Sequence, residues 1–186
     1  MNIKLNKRVF LLAGLVVVAA MSRLLPHPPN FTPIGGMALF GAAYFTKKYW
    51  AFLVPLIALW VSDLVLNNVL YAAYFDGFSW MGIPMVYAAL ILIVLMGKGL
   101  LKKIKVGNLL LASVLASLLF FLVTNLGSWW MDPIYPKTAL GIIEAYVAGI
   151  PFFWNTLAGD LFYTTVLFGG YELIKKIYPT LAIQTV

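Results

Sequence analysis

The chain has 186 residues, 63% of them hydrophobic and only 10% charged, with a formal net charge of +7 and a mean hydropathy of +0.95. Soluble domains run at about 45–50% apolar and about 25% charged, so lipid must be the solvent for most of this surface. The lack of cysteine removes disulfides, thiolate metal sites and cysteine nucleophiles, and basic residues placed between apolar runs speak for membrane orientation rather than a nucleic-acid partner.

At the start, Lys4, Lys7 and Arg8 lead into an apolar run over 9–25. That order resembles a signal peptide, but it is read here as the first span. A proline-rich loop follows, Pro26-His27-Pro28-Pro29-Asn30. The second span, 31–45, is short and rich in small residues, and Lys47-Lys48 end it. The third covers 49–71, and a loop with Asp76, Gly77 and Trp80 leads to the fourth, 81–96. Lys98, Lys102, Lys103 and Lys105 separate that from the fifth span, 106–130. Asp132-Pro133-Ile134-Tyr135-Pro136 is a turn signal. Residues 137–149 are apolar but too short to cross, so a short interfacial or re-entrant helix is expected there. The sixth span is 151–173, stopped by Lys175-Lys176 and Pro179.

The expected fold is thus one all-α integral membrane domain over 1–186, with six transmembrane helices. With the N-terminus inside, Lys4, Lys7, Arg8, Lys47, Lys48, Lys98, Lys102, Lys103, Lys105, Lys175 and Lys176 all fall on the inner side. Only Arg23 and Lys137 fall outside. The positive-inside rule therefore puts both termini in the cytoplasm. In span two, Gly35, Gly36, Ala38, Gly41, Ala42 and Ala43 read as helix packing. The Ala38-x-x-x-Ala42 pattern reads equally as a surface for a partner.

Polar residues inside spans are costly and therefore informative. At about 1.5 Å per residue, Asp63 lies about 21 Å from the inner face, and Asn155 and Asp160 lie about 6 and 13 Å below the outer one. Thr124, Asn125, Ser128 and Trp129 close span five; Thr156, Asp160, Tyr163 and Thr164 share one stripe of span six. Arg23 and His27 stand at the same level, while the inner half reads as nearly pure apolar. An outward-opening site is expected from Arg23, His27, Asn30, Asp63, Asn67, Asn125, Trp129, Asn155, Asp160 and Tyr163. Arg23 has two readings: a partner for a ligand anion, or the neutraliser of Asp63 or Asp160. The asparagines bind a ligand or bond helix to helix, and Trp129 and Trp130 line a pocket or anchor at the interface. One histidine without cysteine argues against a metal site, and no phosphate loop, HExxH or GxSxG points to an enzyme or a cofactor.

Four stretches carry a family resemblance: residues 23–33, Ser62-Asp63, Thr124-Asn125-x-x-x-Trp129, and Asn155-Thr156-Leu157-Ala158-Gly159-Asp160. Together they resemble a family of short six-span bacterial membrane proteins of unassigned function that often carry a transport label. More distantly, the plan resembles the substrate-binding S components of energy-coupling factor (ECF) vitamin transporters. That resemblance implies uptake of a small water-soluble, vitamin-like molecule across the bacterial cytoplasmic (inner) membrane. It also implies a coupling membrane subunit with ATPases. The Ala-x-x-x-Ala surface common on the first helix of S components is missing, since Val17 follows Ala13 and Arg23 follows Ala19. The other reading is a non-catalytic accessory subunit of a larger membrane complex.

Overall fold

The computed structural model describes residues 7–179 and is all-helical over them, with no strand. Six α-helices follow one another: α1 Lys7–Met21, α2 Ile34–Tyr44, α3 Lys48–Val65, α4 Pro84–Leu100, α5 Val106–Met131 and α6 Ala139–Ile177. A π-helical turn, Leu66–Leu70, prolongs α3. Three helices are long and apolar enough to cross a membrane: Lys48–Leu70, Val106–Met131 and Ala139–Ile177. Lys4 lies outside the described residues.

Local chemistry sets the helix ends. Pro84 sits in the first turn of α4, where its missing N–H is no loss. Thr138 Oγ1 accepts from Gly141 N at 3.2 Å and caps α6. After α5, Asp132 Oδ1 accepts from Ile134 N at 2.9 Å and turns the chain.

The centre of the bundle is α2, which touches each of the other five helices. Ten of its eleven residues are buried. It is only about 16 Å long, too short to cross a bilayer unaided, so the expected second span is a half-helix wrapped by its neighbours. Its small residues permit this. A Cβ on Gly36 would lie 2.9 Å from Tyr163, and one on Gly97 would lie 2.9 Å from Ala42. Gly41 faces Ala51 O and Pro55, which fits because Pro55 has no N–H to occupy that carbonyl. Ala38 and Ala42 are both buried, so this pair packs the core and offers no outer face to a partner.

The separate short helix expected near 137–149 does not form. Residues 139–177 make one helix with Pro151 inside it, about 58 Å long. A proline removes a single backbone bond, here the one to Val147 O, and that does not force a stop. The segment before it is held on α5 instead: Tyr146 OH donates to Leu122 O at 2.8 Å, and Gly149 lies directly against Asn125.

Outward faces are apolar. Leu53, Ile57, Leu110, Leu118, Phe162 and Val166 are all exposed. The end of the bundle where α1 starts and α2 and α6 stop holds a polar cluster where apolar packing was expected. Arg8 Nε donates to Tyr171 OH at 3.0 Å and Nη2 to Tyr44 O at 3.2 Å. Tyr44 OH donates to Glu172 Oε1 at 2.7 Å, and Lys175 pairs with Glu172. The expectation failed because these groups sit at helix ends, where they satisfy one another. The cluster also ties the start of α1 to the ends of α2 and α6.

Candidate functional site

Two closed networks take up the ionisable groups of the polar layer. In the first, Arg23 leaves the end of α1 and its Nη1 donates to Asp63 Oδ1 at 2.6 Å and to Ser62 Oγ at 2.6 Å. Tyr87 OH donates to the other carboxylate oxygen at 2.6 Å. Asp63 is only 5% exposed, and Gly82 leaves room for its carboxylate. Both carboxylate oxygens are thereby satisfied, although Arg23 Nε is buried without a partner.

In the second, Asp160 of α6 is 2% exposed. It accepts from Ser117 Oγ of α5 at 2.7 Å and from the backbone N–H groups of Gly35 and Gly36. Those are two of the donors that the first turn of α2 cannot satisfy internally. Asp160 thus caps a helix from a distant part of the chain, with its carboxyl oxygens at the positive end of that helix. Only glycine at 35 lets the carboxylate come so close. One stripe further along α6, Thr164 Oγ1 accepts from Ser113 Oγ at 3.1 Å.

Beside these networks, a cavity of about 310 Å³ lies between the C-terminal part of α5 and the first half of α6. Its polar lining is Asn30, Thr124, Asn125, Ser128, Tyr135 and Thr156. Its walls are Phe120, Phe121, Phe152 and Phe153, with Ile83 and Val86 from the start of α4. No ionisable carboxylate, lysine, arginine or histidine lines it. Thr124 and Thr156 donate their hydroxyl protons to backbone carbonyls one turn back, at 2.8 and 3.1 Å. Each hydroxyl keeps its lone pairs as acceptors. Asn125 Nδ2 donates to Phe121 O at 2.7 Å, which leaves its carbonyl oxygen beside Gly149 as a third acceptor. Among the described residues, the side chains of Ser128, Tyr135 and Asn30 make no hydrogen bond, so they add free donors.

The proline-rich loop brings Asn30 to this cavity. Phe31 N donates to Pro28 O at 3.0 Å and Thr32 N to Asn30 O at 3.0 Å, closing a turn in which Asn30 has φ of 63°. Asparagine tolerates this left-handed region better than most residues. Asn155 Nδ2 donates to Pro29 O at 2.9 Å and fastens the loop to α6. Gly159 lets the backbone of Thr32 come within close contact.

Of the ten residues expected to line one site, Asn30 and Asn125 line the cavity. Arg23 and Asp63 pair with each other, and Asp160 caps α2. The rest serve as ties. Tyr163 OH shares a 2.8 Å bond with Ser22 Oγ, and Asn67 Nδ2 donates to Ser79 Oγ at 3.1 Å. Trp129 Nε1 donates to Pro136 O at 3.0 Å, and His27 Nδ1 lies 2.9 Å from Pro28 O. Tyr135 and the four phenylalanines escaped sequence reasoning. Their signal was spacing: Phe120, Phe121 and Phe152 each stand four residues before Thr124, Asn125 and Thr156, so each ring shares a helix face with a polar group. Among the described residues, no cluster of three or more histidines, aspartates or glutamates forms a metal site.

No curated protein and no solved structure matches the chain. Residues 3–181 match the model of a family described as a family of unknown function (DUF6580). With nearly its whole length matched, the chain belongs to that family.

Proposed function

We propose that the chain is a six-crossing membrane protein with both ends in the cytoplasm, and that it binds a compact, uncharged, polar molecule from the outer side for uptake. The membrane reading rests on three helices of spanning length and on outward faces more apolar than a soluble surface tolerates. The second crossing is made by the loop at 25–33 together with α2. Irregular backbone at membrane depth is tolerated where protein encloses it, and residues 33–42 are buried. Orientation follows from the basic residues. The contacts of Arg8 with Tyr44 and Tyr171 bring three helix ends together, and Lys47, Lys48, Lys175 and Lys176 gather at that same end.

The observation that carries the functional reading is the cavity at the opposite end. Its 310 Å³ is within the range of small-molecule sites, about 300–1,000 Å³. Phenylalanine walls suit a flat ring, and the hydroxyl and amide groups suit a neutral hydrogen-bonding edge. No charged side chain lines the cavity, and Arg23 and Asp63 pair with each other, so the ligand is uncharged. A vitamin-sized molecule fits, in keeping with the resemblance to S components, and energy coupling would come from other subunits. The reading is of a binder that performs no catalysis, in a bacterial cytoplasmic membrane. The accessory-subunit reading draws on the two closed networks, which hold the bundle together without any ligand.

Native mass spectrometry of gently extracted protein tests this. One neutral small molecule is expected on the wild type. Asn125→Leu and Thr156→Val should each weaken it about tenfold, the upper end of one net hydrogen bond, in protein that still unfolds cooperatively. A ligand that survives both substitutions, or a stoichiometric protein partner with no small molecule, would sink the proposal.

A further inference from the structure

The geometry points to a second binding site, for an anionic phospholipid, on the outward side of α5 and α6 at their cytoplasmic ends. It rests on the membrane orientation proposed above and is independent of the cavity ligand. A groove of about 230 Å³ runs between the first two turns of α5 and the middle of α6. Val106, Leu110 and Ser113 form one wall, and Leu161, Phe168 and Gly169 the other. The groove follows α5 for about 10 Å and α6 for about 12 Å, a length that takes the headgroup-proximal half of one acyl chain lying along the helices. Gly169 keeps it open, because a Cβ there would meet nothing within 4 Å.

Charge at the mouth selects the headgroup. Lys105 caps α5 directly before Val106. Lys176 stands two turns beyond Gly169 on the same face of α6. Lys103 lies in the turn that Asn108 Nδ2 closes on its carbonyl at 2.8 Å. All three lysines are exposed, and among the described residues none is in a salt bridge. Glu172, the acid nearest in sequence to Lys176, is held by Tyr44 and Lys175. An apolar helix from a partner would fill the groove and leave these cations unneutralised. A lipid with an acyl tail and an anionic headgroup meets both features.

The test reconstitutes the full chain in phosphatidylcholine nanodiscs with phosphatidylglycerol titrated in, and counts retained lipids by native mass spectrometry. One phosphatidylglycerol is expected per chain. Its affinity should fall about fivefold for each of Lys105→Gln and Lys176→Gln, as the worth of one lysine near an anionic surface implies. Gly169→Phe fills the groove, leaves every lysine in place and should abolish retention; phosphate held by the lysines alone would survive it. Equal retention of both lipids, or retention indifferent to the lysine substitutions, overturns the site. A partner helix occupying the groove in place of lipid does so as well. A chain that partitions away from membranes overturns the orientation itself, whereas a membrane-extracted chain without phosphatidylglycerol overturns only this site.

Discussion

Two polar regions lie side by side in this bundle and are built on opposite plans. Around Arg23, Asp63 and Asp160 every carboxylate oxygen is engaged, by a guanidinium, a tyrosine, a serine or the start of α2. Between α5 and α6 the polar groups are neutral and several stay free, around open space. The contrast follows from cost. A buried charge without a partner is expensive, so ionised side chains are matched within the chain. A hydroxyl or an amide is cheaper to leave waiting for a ligand. On the proposed function, what is left open describes the ligand, and what is closed describes the scaffold.

The sharpest way to break this contrast is Arg23→Ala. It strands Asp63, 5% exposed, as an unpaired buried carboxylate. A loss of about 3–5 kcal/mol is expected, the usual result of removing one partner of a buried pair. Thermal unfolding in detergent would read it as a large drop in midpoint. Replacing both partners with apolar groups, Arg23→Met with Asp63→Leu, should recover most of the loss. If Arg23→Ala stays as stable as the wild type and only ligand binding falls, Arg23 belongs to the site and the contrast is wrong.

Next in size is Asp160→Ala, which leaves the N–H groups of Gly35 and Gly36 without their acceptor, while the Ser117 hydroxyl keeps Ser113 O at 3.0 Å. About 1–3 kcal/mol should be lost. Asp160→Asn should lose less, because its amide oxygen can still accept from α2 while its amide nitrogen donates to Ser117. Hydrogen exchange adds the decisive readout: protection should drop at the first turn of α2 in Asp160→Ala and hold in Asp160→Asn. Uniform loss of protection across the bundle would remove the cap from the account.

Much of this was legible in the sequence, and the remainder fails for identifiable reasons. Apolar run lengths located α1, α3, α4 and α5, and the cost of polar groups in spans singled out Arg23, Asp63, Asn125 and Asp160. Partnership was not legible. Asp160 is bound to backbone N–H groups, which leave no side-chain signature, and the only trace was the pair Gly35-Gly36 after Pro33. Pro151 was read as a boundary because a proline commonly ends a helix; packing on α5 carried the helix through it. The second span, although short, was counted as a crossing of its own because composition reports burial and cannot tell lipid from protein as the burying surface. Tyr135 lay hidden in a turn, where an aromatic residue reads as an interface anchor.

The smallest expected effect separates the turn from the site. Asn30 has two roles: it sits at φ of 63° and it turns an unbonded amide toward the cavity. Asn30→Gly keeps the first role and deletes the second, since glycine enters the left-handed region without strain. Stability should shift by no more than about 0.5 kcal/mol, as for an exposed site with no strain introduced. Asn30→Val deletes both, and forcing a β-branched residue into positive φ should cost about 1–3 kcal/mol. If the amide serves the ligand, both variants lose the same share of affinity despite their unequal stability. Should Asn30→Gly bind as the wild type does while Asn30→Val does not, Asn30 only shapes the loop, and the hydrogen-bonding edge of the cavity is supplied by α5 and α6 alone.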